Sequence, residues 1–154
     1  MSTSTDRIER KIVLKATRAR VWRALTNIDE FNSWFGVRLE GKQFAAGERF
    51  TGNVTYPGYE HLSMAVTIEK CEPEKQLSWR WHPNAIDARR DYSGEPTSLV
   101  EFRLEDADAG GTLLTLVESG FDQIPPDRRL QAFRSNTEGW EIQLQNIAKH
   151  VAAS

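Results

Sequence analysis

The stretch TLVESGF, residues 115–121, holds the side chain best placed to do chemistry in this chain of 154 residues. In a strand, Thr115, Val117 and Ser119 would point to one face, and Leu114, Leu116 and Glu118 to the other. A slip of one residue would turn two leucines toward water, so parity predicts Glu118 on the inner face. A carboxylate held away from water must take up a proton or find donors. Glu118 is therefore the candidate for acid–base work or for orienting a polar ligand head. The opposing reading places it at the strand end, solvated or salt-bridged. General acid–base catalysis also needs a positioned partner. Arg80, His82 and Tyr56 are the residues considered for that role. Arg80 and His82 alternate with Trp79 and Trp81, so they point outward if the tryptophans point inward.

Other chemistry finds little support. His61, His82 and His150 lack metal-ligand spacing and Cys71 is the one cysteine, so neither a metal site nor an internal disulfide is expected. No glycine-rich nucleotide loop and no GxSxG elbow occurs, and no cofactor is expected. Ser119 has no base near it in sequence. Arg89 and Arg90 beside Asp87 and Asp91 read better as a solvated loop than as an anion clamp. The 20 basic and 22 acidic residues are well mixed and give a net charge of −2, which argues against nucleic acid as a partner. No run is apolar enough to span a bilayer, and MSTSTDRIERK lacks the core of a signal peptide. The expectation is a cytoplasmic protein, monomeric or homodimeric.

The elements that must position Glu118 follow from hydrophobic periodicity. Residues 8–15 alternate as a strand. Thr17 suits the cap of a short helix carrying Val21, Trp22 and Leu25, and Asp29 suits the cap of a second, DEFNSWF, ended by Gly36. KQFAAGERFTGNVTY reads as a hairpin turning near Ala46 and Gly47. Strands follow at LSMAVTIEKCE, QLSWRWHP, TSLVEFRLED and TLLTLVESGF. Leu130, Phe133, Thr137, Trp140, Leu144, Ile147 and Val151 then recur at alternating steps of three and four. They predict one amphipathic helix of about seven turns, over residues 126–151, lying across the sheet. Short turns between successive strands require an antiparallel sheet.

Strand, two short helices, six strands and a long helix is an α+β order that resembles the START-like, or SRPBCC, superfamily with its helix-grip fold. The closer resemblance is to the family named for the C-terminal domain of the activator of the heat-shock-protein-90 ATPase. VWRALT, FNSWFG, EPEKQLSWRW, TLVESGF and the Gly139–Trp140 pair carry it. The segment 82–98 departs from it, looking longer than the usual connection. The resemblance implies a single START-like domain over 1–154, with its core at about 8–152, and a space between sheet and helix. It implies an apolar or aromatic small molecule as ligand, or a chaperone as partner; a small cyclase, hydrolase or lyase with Glu118 as acid or base is the third class. Trp34 of the second helix, with Phe50, Met64 and Val66, would line one side of the space. Trp79, Trp81, Phe102, Leu116 and Glu118 would come from the later strands, and Phe133 and Trp140 from the helix. Phe44 and Leu114 fall on the same lining. The opposing reading is that these side chains simply fill a core. The loop 82–98 is expected to be mobile and to sit at one open end of the space.

Overall fold

The computed structural model describes residues 6–87 and 89–153. Residues 1–5 of the N-terminal stretch MSTSTDRIERK lie outside them. Seven strands form one antiparallel sheet: β1 (Arg7–Leu14), β2 (Val37–Leu39), β3 (Arg49–Val54), β4 (Ser63–Glu72), β5 (Gln76–Trp81), β6 (Ser98–Asp106) and β7 (Thr112–Ser119). Their spatial order is β1-β7-β6-β5-β4-β3-β2. Only β1 leaves sequence order, and it pairs with the last strand along its whole length. Helices α1 (Arg18–Thr26) and α2 (Ile28–Phe35) connect β1 to β2, and α3 (Pro126–Ala152) closes the chain. This is the helix-grip architecture. No helix among the described residues is long and apolar enough to cross a membrane.

Local chemistry explains the boundaries. The Thr17 side chain accepts from the Arg20 amide and starts α1. The cap of α2 is Asn27 rather than the expected Asp29. The Asn27 side chain accepts from the Glu30 amide, while Asp29 and Glu30 sit in the first turn and complement the helix dipole. Gly36 ends α2 at φ 87°, a left-handed conformation that a side chain would disfavour. The expected hairpin over 42–56 is also corrected. Its strands are β2 and β3, and the turn at Ala46–Gly47 belongs to the nine-residue connection between them. Contact decides this pairing. A Cβ on Gly52 would lie 1.9 Å from the Arg38 carbonyl oxygen, so glycine alone lets β2 close onto β3. Between β4 and β5 the register slips at Ile68/Lys70, and the Ser78 hydroxyl accepts the Lys70 amide at this irregularity.

The helix α3 has the expected span, but its buried side differs in the first half. Leu130 is 51% exposed, and the inward residues there are Arg128 and Ala132. Phe133 is partly buried, packed edge-on against Phe121 at 5.4 Å. From Trp140 onward the expected residues Leu144, Ile147 and Val151 are buried. Steps of three and four average 3.5 residues, whereas a straight helix turns in 3.6, so a seam drawn at the C-terminal end drifts off the contact line toward the N-terminal end. Steps of four (128, 132, 136, 140) follow the contact line there instead.

Candidate functional site

Glu118 lies on the inner face of β7 and is fully buried. The ladders to β1 and β6 run through it without a bulge, pairing it with Ile8 and Val100, both buried. Four donors converge on its carboxylate. Oε1 accepts from Asn136 Nδ2 at 2.8 Å and from Trp140 Nε1 at 2.8 Å. Oε2 accepts from Trp81 Nε1 at 2.7 Å and from Ser98 Oγ at 2.6 Å. Two bonds to each oxygen is the full capacity of an ionised carboxylate. The charge is thus solvated by four neutral dipoles instead of a cation. Arg80, His82 and Tyr56 do not serve it. Arg80 pairs with Glu69 on the outer face, His82 Nε2 faces the Glu95 carbonyl at 3.0 Å, and Tyr56 is exposed.

Each donor arrives because of its element. Trp81 ends β5 in phase with Leu77 and Trp79, and Ser98 opens β6 in phase with Val100, Phe102 and Leu104. Asn136 and Trp140 are one helical turn apart on α3, so both can reach a single oxygen. The carboxylate therefore binds three strands and the helix at one point.

Beside this cluster a small cleft of about 120 Å³ opens between Phe35, Trp81, Asn136, Gly139, Trp140 and Gln143. Phe35 closes one side, with its ring 6.4 Å from Trp81 and 6.1 Å from Trp140. A Cβ added to Gly139 would meet nothing within 4 Å, so the missing side chain leaves room. A wider groove of about 330 Å³ shares Phe35 and Trp81 as walls and runs past Met64 to Ile86 and Tyr92 of the loop 82–98.

Of the candidate lining residues, Trp81 and Trp140 border the cleft, and Met64 joins Trp81 along the wider groove. Trp34, Phe44, Phe50, Val66, Trp79, Phe102, Leu114 and Leu116 pack into the core. Trp79 sits among Phe31, Trp81 and Phe102, with centroids 5.3–5.7 Å away. Trp34 spends its N–H on the Ala24 carbonyl, tying α2 to α1. Phe133 lies away from the cleft, against Phe121. Sequence reasoning missed Phe35, Ser98, Asn136, Gly139 and Gln143. Two signals pointed to some of them. Ser98 is a hydroxyl in phase with three apolar residues, and Asn136, Gly139, Trp140 and Gln143 have the i, i+3, i+4, i+7 spacing of one helix face.

The loop 82–98 is anchored by charge. Arg128 of α3 is 7% exposed; it donates to Glu95 at 2.8 Å and to the Pro83 carbonyl, and stacks over Tyr92 at 4.7 Å. Arg90 bridges Glu95 and Asp127. The Arg90 guanidinium, through its hydrogen bond, holds the Asp127 carboxyl below its ordinary range. The arginine pair Arg89–Arg90 is thus split: Arg89 is solvent-facing beside Asp87, and Arg90 is engaged within the protein.

Solved structures share this architecture. MLL2253 from Mesorhizobium loti is 24% identical, aligned over 96% of this chain and 98% of that one, with a TM-score of 0.75. CalU16 from Micromonospora echinospora is 24% identical over 94% and 75% of the two chains, with a TM-score of 0.65. The Aha1 dimer from Colwellia psychrerythraea is 17% identical over 94% and 95%, with a TM-score of 0.69. The comparison with curated proteins gives no match. The family model for activator of Hsp90 ATPase homolog 1-like protein matches residues 15–152, nearly the whole chain and all the elements that build the cleft, and the chain belongs to that family.

Proposed function

We propose that this chain, acting as one START-like domain, binds a small planar apolar molecule in the cleft between Phe35, Trp81 and Trp140. The observation that carries the reading is an aromatic-walled opening beside a carboxylate cluster that is itself complete. Apolar concavities with a few fixed polar groups are the usual form of small-molecule sites. A volume of about 120 Å³ suits one aromatic ring, since apolar cavities of about 150 Å³ accept benzene. A longer ligand would extend past Phe35 and Trp81 into the wider groove. Glu118 serves here as a positioning residue. Its four lone-pair directions are occupied, so no proton transfer is assigned to it, and binding rather than catalysis is the favoured activity.

Toluene titrated against tryptophan emission tests the reading, because two tryptophans wall the cleft. Saturable quenching is expected in the wild type and should vanish in Gly139→Leu. That substitution projects into open space and removes a helix-interior glycine, so the fold should persist. Saturable quenching that survives Gly139→Leu would move the site elsewhere, and its absence in the folded wild type would defeat the reading. Mass spectrometry of what co-purifies with the protein would then identify the natural ligand.

A further inference from the structure

We propose that the ligand of this cleft carries a hydrogen-bond donor, a hydroxyl or N–H on its ring, which the Asn136 side-chain oxygen accepts; the proposal rests on the cleft being the binding site. The starting point is what the Glu118 cluster leaves over. The indole N–H groups of Trp81 and Trp140 are both committed to Glu118, so neither tryptophan offers the cleft a donor. The Asn136 amide spends one of its two N–H groups on Glu118. A carboxylate is acceptor-only, which fixes which end of that amide faces Glu118. Asn136 Oδ1 makes no hydrogen bond among the described residues, yet Asn136 lines the cleft.

Gln143, two turns further along α3, is the other polar residue of the lining. It donates to the Phe35 carbonyl at 2.8 Å and accepts from Asn146 Nδ2 at 3.1 Å, so its oxygen is already in use. The one uncommitted carbonyl oxygen among the lining side chains is thus Asn136 Oδ1. Glu118 sets this polarity from outside the cleft: by holding the amide nitrogen it keeps Oδ1 turned away from the carboxylate. A neutral phenol or aryl amine meets these conditions. An aryl carboxylate would set an acceptor against Asn136 Oδ1 and a charge against apolar walls.

Phenol and toluene, matched in size, are the probes, and the readout is the ratio of their affinities from tryptophan quenching. Comparing that ratio between wild type and Asn136→Leu cancels the intrinsic difference in hydrophobicity. A fall of about five- to tenfold in the phenol preference is expected, the usual worth of one hydrogen bond. An unchanged ratio, with both probes still binding, overturns the donor rule and leaves the cleft in place. Absence of saturable binding by either probe in the wild type overturns both. If Asn136→Leu does not fold, the Asn136 side-chain amide nitrogen resonance in the wild type decides. Phenol should shift it and toluene should not; equal shifts refute the proposal.

Discussion

Glu118 is a charged side chain inside an aromatic core, and its surroundings make it costly to alter. In Glu118→Gln the amide has one oxygen and one N–H2 for four donors. The oxygen can keep Asn136 and Trp140, and Ser98 can turn its hydroxyl to accept, but the N–H2 then faces the Trp81 N–H, donor against donor. A loss of about 2–3 kcal/mol is expected by denaturant unfolding, the range for losing a charge-assisted bond and leaving a buried donor unmet. Glu118→Leu strands all four donors and should cost more. If Glu118→Gln unfolds at the wild-type midpoint, the cluster does not hold the fold together.

On the scale of elements, α3 offers a paired test. Trp140 is buried, donates to Glu118 and packs against Trp81, with ring centroids 5.8 Å apart. Trp140→Ala should cost about 3–5 kcal/mol. Leu130 is half exposed, and Leu130→Ala should stay within about 0.5 kcal/mol. Trp140→Ala should be costly in either case, whereas Leu130→Ala would cost as much as a core truncation if the evenly spaced seam were the buried one. The loop 82–98 is the second such element. Its composition reads as a solvated loop, but Arg128, which buries itself against Glu95, Pro83 and Tyr92, lies 30 residues beyond it on α3. Arg128→Met should cost about 3 kcal/mol, the low end for a broken buried pair because Arg90 still faces Glu95. Faster proteolysis within the loop should accompany it.

The same contrast explains how much was legible beforehand. The succession of elements along the chain, the two short helices and the inward side of Glu118 follow from period and parity, which are local properties; the pairing of β1 with β7 does not. The four donors to Glu118 come from three distant segments, and only their side-chain reach after folding brings them together. Ser98 and Asn136 carried a weak signal, polar residues on apolar faces. The cleft itself carried almost none. It exists because Gly139 lacks a side chain beside the aromatic walls Phe35, Trp81 and Trp140, which lie 46 and 59 positions apart along the chain, separations that no period records. Most of the expected lining fills the core, because so many large rings converge on the inner face that little space is left.

For the whole molecule, the grip depends on α3 being held at both ends and at its middle. The loop network holds its first turn, Glu118 its centre, and the last turns rest on α2, where Gln143 donates to the Phe35 carbonyl and His150 meets Glu30 at 2.9 Å. Glu30 also accepts Arg20 at 2.7 Å and Arg23 at 2.8 Å. Burial acts to raise its pKa, but the hydrogen bonds from His150, Arg20 and Arg23 and the charge of Arg20 outweigh it, and the net shift is downward from 4.5. A carboxyl lowered in the folded state contributes stability above its unfolded value and loses it as pH falls through the folded one. Stability should therefore decline as pH drops below about 4.5. Asp127, also lowered by its Arg90 partner, should add to the decline at the other end of α3, starting from 3.8. Glu30→Gln removes one contribution and Asp127→Asn the other, so each should flatten the acid limb of a melting-temperature profile while lowering the plateau near neutrality. Because Gln143 and Phe35 border the cleft, release of the last turns of α3 should also weaken ligand binding over the same pH range. A Glu30→Gln variant with an unchanged acid limb would place the acid-sensitive contact elsewhere.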